Sequence, residues 1–288
     1  MMPAPRTEPP VEPPRIPTTP LPLTGERTVP DVPEETYWFS RHVAAYRFVV
    51  ELAREHDVTR LVDAGCGEGY GLGLLAEGLG IGAVPGTDAP RTIVGLELDP
   101  RVAAHARQRY GVDPAVTVIE AELGAIPLPG ASVDLVTLLQ VIEHLHDVAR
   151  TLDELVRLVR PDGTLVVSTP NRRTFSPGDA PPTNPFHVRE FAPDELADTL
   201  VAAGLVLQRQ LGLHHGPRLA RLERAHGTTL HAALTTAGPE AWPSWLAEVV
   251  PTVTPDDFEL REGRPGSPAL EDALDLVVVA RVQRRDGT

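Results

Sequence analysis

Short apolar runs of strand length alternate with amphipathic stretches of helical period along most of this chain, the pattern expected of βαβ units. Strands are predicted at 59–63, 92–97, 116–121, 133–138, 163–168, 205–211 and 274–282. Helical patterns fall between them at 70–79, 101–110, 149–159 and 193–203. An earlier amphipathic stretch opens on Tyr37-Trp38-Phe39 and runs through Arg41, His42, Tyr46 and Phe48 to about Glu55. Six helix-separated strands followed by a seventh predict an α/β fold, an open, doubly wound, Rossmann-like sheet of seven strands.

Two segments interrupt the rhythm. Residues 80–91 are rich in Gly and Pro and lengthen the first crossover. Residues 212–267 carry helical patterns at 218–225, 229–236 and 242–249, so this stretch predicts a helical cap rather than a bare loop. Ahead of the pattern, residues 1–33 hold 11 of the 31 prolines. Such a segment cannot offset its ordering entropy by burial and predicts a disordered tail, with a polyproline ligand as the alternative. The remainder, 34–288, reads as one domain that includes the cap.

Composition narrows the chemistry. Cys66 is the single cysteine, which excludes a disulfide framework and a Cys-rich zinc site. The chain contains no Lys, which excludes Lys Schiff-base catalysis and Walker-type phosphate binding. A net charge of −14 argues against nucleic acid as a partner and favours a neutral small molecule or glycan. No apolar run predicts a membrane span or a secretory leader, so the expected location is the cytoplasm.

The densest chemical signal is Asp63-Ala64-Gly65-Cys66-Gly67-Glu68-Gly69-Tyr70-Gly71, between the first strand and a helix. Glycines there allow a tight turn and close approach to a ligand, and the helix N-terminus offers free N–H groups. The spacing does not match the dinucleotide G-x-G-x-x-G fingerprint. At the end of the second strand, Glu97 is placed to accept from both hydroxyls of a ribose. Glu122, at the end of the third strand before Ile126-Pro127, is placed to accept from an adenine amino group.

In that order these features resemble class I S-adenosylmethionine-dependent methyltransferases, as does Arg160-Pro161-Asp162-Gly163 before the fifth strand. The resemblance implies a methyltransferase sheet that binds S-adenosyl-L-methionine. Asp63, Gly65, Gly67 and Gly69 would serve its methionine end, Glu97 its ribose, and Glu122 with the Leu123 backbone its adenine. Gln140, after the fourth strand, is placed with these cofactor-binding residues. Two departures stand out: the insertion at 80–91 widens the gap before Glu97, and Asp162 occupies a turn position where glycine is more usual.

After the fourth strand, Gln140-Val141-Ile142-Glu143-His144 resembles the Glu-x-x-Glu-His element of metal-assisted O-methyltransferases, with Gln140 in place of the first glutamate. By that resemblance Glu143, His144 and the distant His187 are candidate ligands for Mg2+ or another divalent cation. An alcohol is a poor nucleophile until it loses its proton, so a base or a Lewis acid is needed. His144 is the candidate base, and Glu143 its orienter or a ligand.

A narrower likeness, carried by segments such as 23–30, 174–178 and Asn184-Pro185-Phe186-His187-Val188-Arg189, is to actinobacterial methyltransferases encoded with the genes for the 6-O-methylglucose lipopolysaccharide. It implies an enzyme of polysaccharide biosynthesis acting on a carbohydrate hydroxyl, the 6-hydroxyl of glucose units. Tyr37, Trp38, Arg41, His187, Arg189, His215 and Arg218 are the candidate substrate-binding residues. The alternatives are an O- or N-methyltransferase for a phenolic or quinone-like small molecule, and a noncatalytic S-adenosylmethionine-binding regulator.

Overall fold

The computed structural model describes residues 28–30, 32–81, 91–178 and 181–283. The predicted strands recur as β1 (Arg60–Ala64), β2 (Thr92–Glu97), β3 (Val116–Glu120), β4 (Val133–Leu139), β5 (Val159–Pro170), β6 (Leu205–His215) and β8 (Asp275–Val282). An eighth strand, β7 (Phe258–Glu262), rises from the segment predicted to be a helical cap. Its sequence Phe258-Glu259-Leu260-Arg261-Glu262 alternates apolar and polar side chains, a strand period hidden behind three helical patterns. β6 also extends to His215, so sheet replaces the predicted start of the cap.

The sheet order is β3-β2-β1-β4-β5-β8-β6-β7. Strands β1 to β5 are parallel, whereas β8 runs antiparallel between β5 and β6, and β7 pairs antiparallel with β6. The sheet is therefore mixed and eight-stranded rather than seven-stranded. Order reverses between β1 and β4, which makes the C-terminal ends of these two neighbours the crevice where open α/β sheets bind ligands.

Helices cover both faces because the strands alternate their side chains across the sheet. Val62 and Ala64 join Leu152, Leu155 and Leu158 of α4 (Val148–Leu158) and Leu196 and Leu200 of α6 (Pro193–Ala202). Leu61 points to the other layer, against Val49 of α1 (Thr36–Glu55), Leu72 and Leu75 of α2 (Tyr70–Leu79) and Ala103 of α3 (Pro100–Tyr110). Every residue of β4 is buried, as a central parallel strand requires. Asp162 takes φ +65°, the left-handed conformation that makes glycine usual at such a turn and that Asp tolerates.

A third cluster holds the cap. Tyr37 packs with Leu219 of α7 (Pro217–His226), Leu230 and Leu234 of α8 (Leu230–Thr236), and Leu246 of α9 (Ser244–Val249). The short helix α5 (Arg172–Phe175) follows β5. Of the predicted tail at 1–33, residues 1–27 and 31 lie outside the described residues, as do 82–90 of the first insertion. No helix among the described residues is long and apolar enough to cross a membrane.

Candidate active site

The glycine loop leaves β1 in a conformation few side chains adopt. Gly65 and Gly67 have φ +78° and +56°. The amides of Gly65 and Cys66 both donate to the Leu96 carbonyl, at 2.8 and 2.9 Å, which lashes the loop to β2. A Cβ on Gly65 would come within 2.6 Å of Val141, whereas a Cβ on Gly67 would meet nothing within 4 Å. The Gly67 face is thus open for a ligand. Glu97 supports it from below, accepting from the amides of Gly67 at 3.1 Å and Asp99 at 2.8 Å.

Asp63 lies beneath the loop, fully buried, and accepts from Tyr46 Oη at 3.0 Å and Thr137 Oγ1 at 2.6 Å. Burial raises its pKa to about 6 against the pull of those two donors. It ties α1 to β1 and β4 beneath the loop and is not among the residues lining the cavity. Gly69 caps α2 and packs against Ala106 and Tyr110, also away from the cavity wall.

A cavity of about 370 Å³ joins the Gly65–Gly67 turn to the end of β4. Trp38, Arg41, His42 and Tyr46 of α1 line one wall, and Phe175, Asn184 and His187 another. Thr28 closes one corner, within 3.2 Å of His42 Nδ1, which also bonds Tyr70 Oη at 3.0 Å. Burial lowers the His42 pKa to about 4, so this ring is neutral. Glu68, also lining, is fixed from behind by His105 at 3.2 Å and Tyr110 at 3.3 Å.

At the acceptor end, a 3-10 turn at Ile142–His144 follows β4. Gln140 starts it with φ +56° and sends Nε2 to Ser168 Oγ at 3.3 Å. Glu143 is 1% exposed and accepts from Thr169 Oγ1 at 2.9 Å. Desolvation pushes its pKa up to about 8, so in the absence of a cation the carboxyl holds its proton near neutrality. His144 Nδ1 lies 3.0 Å from the Phe186 carbonyl, which only accepts, so Nδ1 carries a proton. His187 Nδ1 donates to Glu190 Oε1 at 2.8 Å. The amides of Val188 and Arg189 donate to the Glu143 carbonyl, fixing this loop to the turn.

Ligating atoms of Glu143, His144 and His187 lie within 4.8 Å of one another. One carboxylate and two imidazole lone pairs, with a carboxylate behind one ring, suit a divalent cation. The open Gly67 face above Glu97 suits a nucleoside bearing a polar amino-acid tail. Both groups fit the residues present.

Other predicted contacts resolve differently. Tyr37 is fully buried, its hydroxyl 2.8 Å from His215 Nε2, and His215 Nδ1 bonds Glu223 at 2.9 Å. Arg218 grips Asp257 at 2.6 and 2.7 Å, and Arg189 lies over the Phe191 ring at 4.7 Å. None of these four lines the cavity; among the described contacts they pack the cap and the loop. Arg41 does line it but is clamped by Asp275 and by the Leu274 carbonyl at 2.7 Å. Glu122 is exposed beside Arg150 at 3.6 Å, and Leu123 packs at the edge of the core; both lie beyond the cavity wall, past β3. Thr28, His42, Tyr70 and Phe175 were not singled out for the site. Tyr70, one residue past the glycine turn, carried the one local signal.

The family model described as a methyltransferase domain matches residues 62–167. Over 262 residues the chain is 43% identical to a "probable S-adenosylmethionine-dependent methyltransferase" of Mycolicibacterium smegmatis, covering 90% of this chain and 95% of that protein. It is 30% identical over 197 residues to a ubiquinone biosynthesis O-methyltransferase of Ralstonia nicotianae, covering 63% of this chain and 77% of that one. The fold matches a methyltransferase structure from Thermotoga maritima with a TM-score of 0.54 at 19% identity, covering 87% of this chain and 95% of that one. With 43% identity over nine-tenths of the chain, and the glycine turn and the reactive groups lining one cavity, the chain belongs to the class I S-adenosylmethionine-dependent methyltransferases.

Proposed function

We propose that the chain transfers the methyl group of S-adenosylmethionine to a hydroxyl oxygen of a carbohydrate, with the 6-hydroxyl of a glucose unit in a polysaccharide as the acceptor. The observation that carries O-methylation is the convergence of Glu143, His144 and His187 within 4.8 Å. These groups share the cavity with the Gly65–Gly67 turn. N-methylation of an amine needs no such cluster, because a neutral amine is already nucleophilic. Support for a sugar comes from an aromatic wall, Trp38 and Phe175, set among polar Arg41, Thr183, Asn184 and Thr235.

S-adenosylmethionine supplies an activated sulfonium methyl, and Gly65, Gly67 and Glu97 are the residues that would hold it. A divalent cation held by Glu143, His144 and His187 would lower the pKa of the acceptor hydroxyl. The chain's own groups do the rest. Without a cation, the acceptor oxygen takes the methyl as its proton passes to His144 Nε2; with one, that lone pair would be a ligand instead, and the acidified hydroxyl would lose its proton to water. Phe186, through its carbonyl, keeps that imidazole in the base-competent tautomer. Trp38 and Phe175 exclude water that would compete for the methyl.

The likeness to ubiquinone biosynthesis O-methyltransferases favours a second reading, a phenolic hydroxyl. Labelled S-adenosylmethionine offered with maltooligosaccharides, mannosides and catechols separates the two. Transfer to the 6-position of a glucan supports the first, and transfer to catechols alone replaces it with the second.

A further inference from the structure

Glu190 is a buried acid that the chemistry above leaves unused. Its side chain is 1% exposed, and Oε1 accepts from His187 Nδ1. Its other oxygen, Oε2, has no hydrogen-bond partner among the described residues. A carboxylate buried with so little support is costly unless positive charge lies close by. Arg41 is paired with Asp275, with its Nη1 lacking a hydrogen-bond partner among the described residues, and Arg189 is turned over the Phe191 ring at an exposed position. A cation held by Glu143, His144 and His187 would lie one imidazole ring away from this carboxyl.

We infer that Glu190 is the second carboxylate of a divalent-cation site, a positioning residue that acts through His187 and replaces the direct carboxylate ligand missing at Gln140. This rests on the cation reading above. A carboxylate behind a ligating imidazole fixes its tautomer and orientation and raises its basicity. The backbone supports the same arrangement, because Val188 and Arg189 bind the Glu143 carbonyl and hold Glu190 and Glu143 in one register. Gln140 lines the same cavity with its amide on Ser168 and brings no carboxylate to it.

The test is calorimetric titration of the full chain with MnCl2, without donor or acceptor, so that it does not depend on turnover. Wild-type protein should bind one Mn2+, and Glu190→Gln should weaken binding roughly 10–100-fold. Adding Gln140→Glu to that variant should restore about tenfold of the loss. If Glu190→Gln does not fold, Glu190→Asp, which keeps the charge but shortens its reach, should show a comparable loss. Equal Mn2+ affinity in wild type and in the folded Glu190 variant, with only a lowered Tm, overturns the inference and leaves a structural role. No Mn2+ binding by the wild type overturns the inference and the cation reading together. O-methylation itself is scored separately by methyl transfer.

Discussion

Arg41, on the first helix, and Asp275, at the start of the last strand, form a two-pronged ion pair with side chains only 2% and 3% exposed. Removing one member strands the other charge, so Arg41→Met or Asp275→Asn should destabilise the protein by about 3–5 kcal/mol. The double variant Arg41→Met/Asp275→Leu should recover much of that loss. Urea unfolding of all three checks this, and additive losses in the double variant would count against a coupled pair.

His144→Ala should lower kcat by roughly 10²–10⁴ while S-adenosylhomocysteine affinity stays within about twofold. The ring bonds the Phe186 carbonyl and packs edge-on against His187, at the acceptor end of the cavity. Full turnover in this variant would leave positioning alone as the source of rate.

EDTA should abolish methyl transfer, and Mn2+ or Mg2+ should restore it, since the buried Glu143 is ionised most easily when a cation is present. Activity that survives exhaustive chelation, alongside an inactive His144→Ala, would assign the chemistry to proton transfer without a cation.

Gly67→Val should fold with a modest loss in Tm yet bind S-adenosylhomocysteine at least about tenfold more weakly, because its Cβ would point into open ligand space rather than into protein. Gly65→Val meets Val141 instead, so its effect should appear as lost stability. Calorimetry and thermal melts separate the two outcomes.

Asp63 gives a pH dependence of definite sign. Its pKa rises from an ordinary 3.8 to about 6 on folding, so the folded state holds the proton more tightly. Its stabilising share is complete below pH 3.8 and is lost as pH rises through about 6, a fall of about 3 kcal/mol. Asp63→Asn should remove that fall. Unfolding free energies of both proteins from pH 4 to 7.5 test it, and parallel curves would refute the assignment.

Much of this was legible because local pattern encodes which face of an element is buried. The alternation of short apolar runs with helical patterns predicted the doubly wound sheet, and the glycine turn and Glu143-His144 marked its crevice. What escaped depends on strand order. Tyr37 and His215 lie 178 positions apart and meet only because β6 runs to the cap, so two apparent sugar contacts became each other's partners. Arg41 and Asp275 are 234 positions apart. Glu190 drew no notice because a lone glutamate beside a histidine means little until burial and an unpartnered oxygen give it weight. β7 was masked by the longer helical periods ahead of it.

The interior place of β8 has a consequence for synthesis. This strand is translated after every other described strand, yet it belongs between β5 and β6 and carries the Asp275 that clamps Arg41 on the cavity wall. On the ribosome, β6 and β7 can pair as a hairpin-like unit but have nothing to join to β5. The nascent chain must therefore keep a gap in its sheet, with two exposed edges, until β8 emerges. A chain released before residue 275 would have its donor loop encoded but its acceptor wall unclamped, a product for proteolysis rather than a slow enzyme.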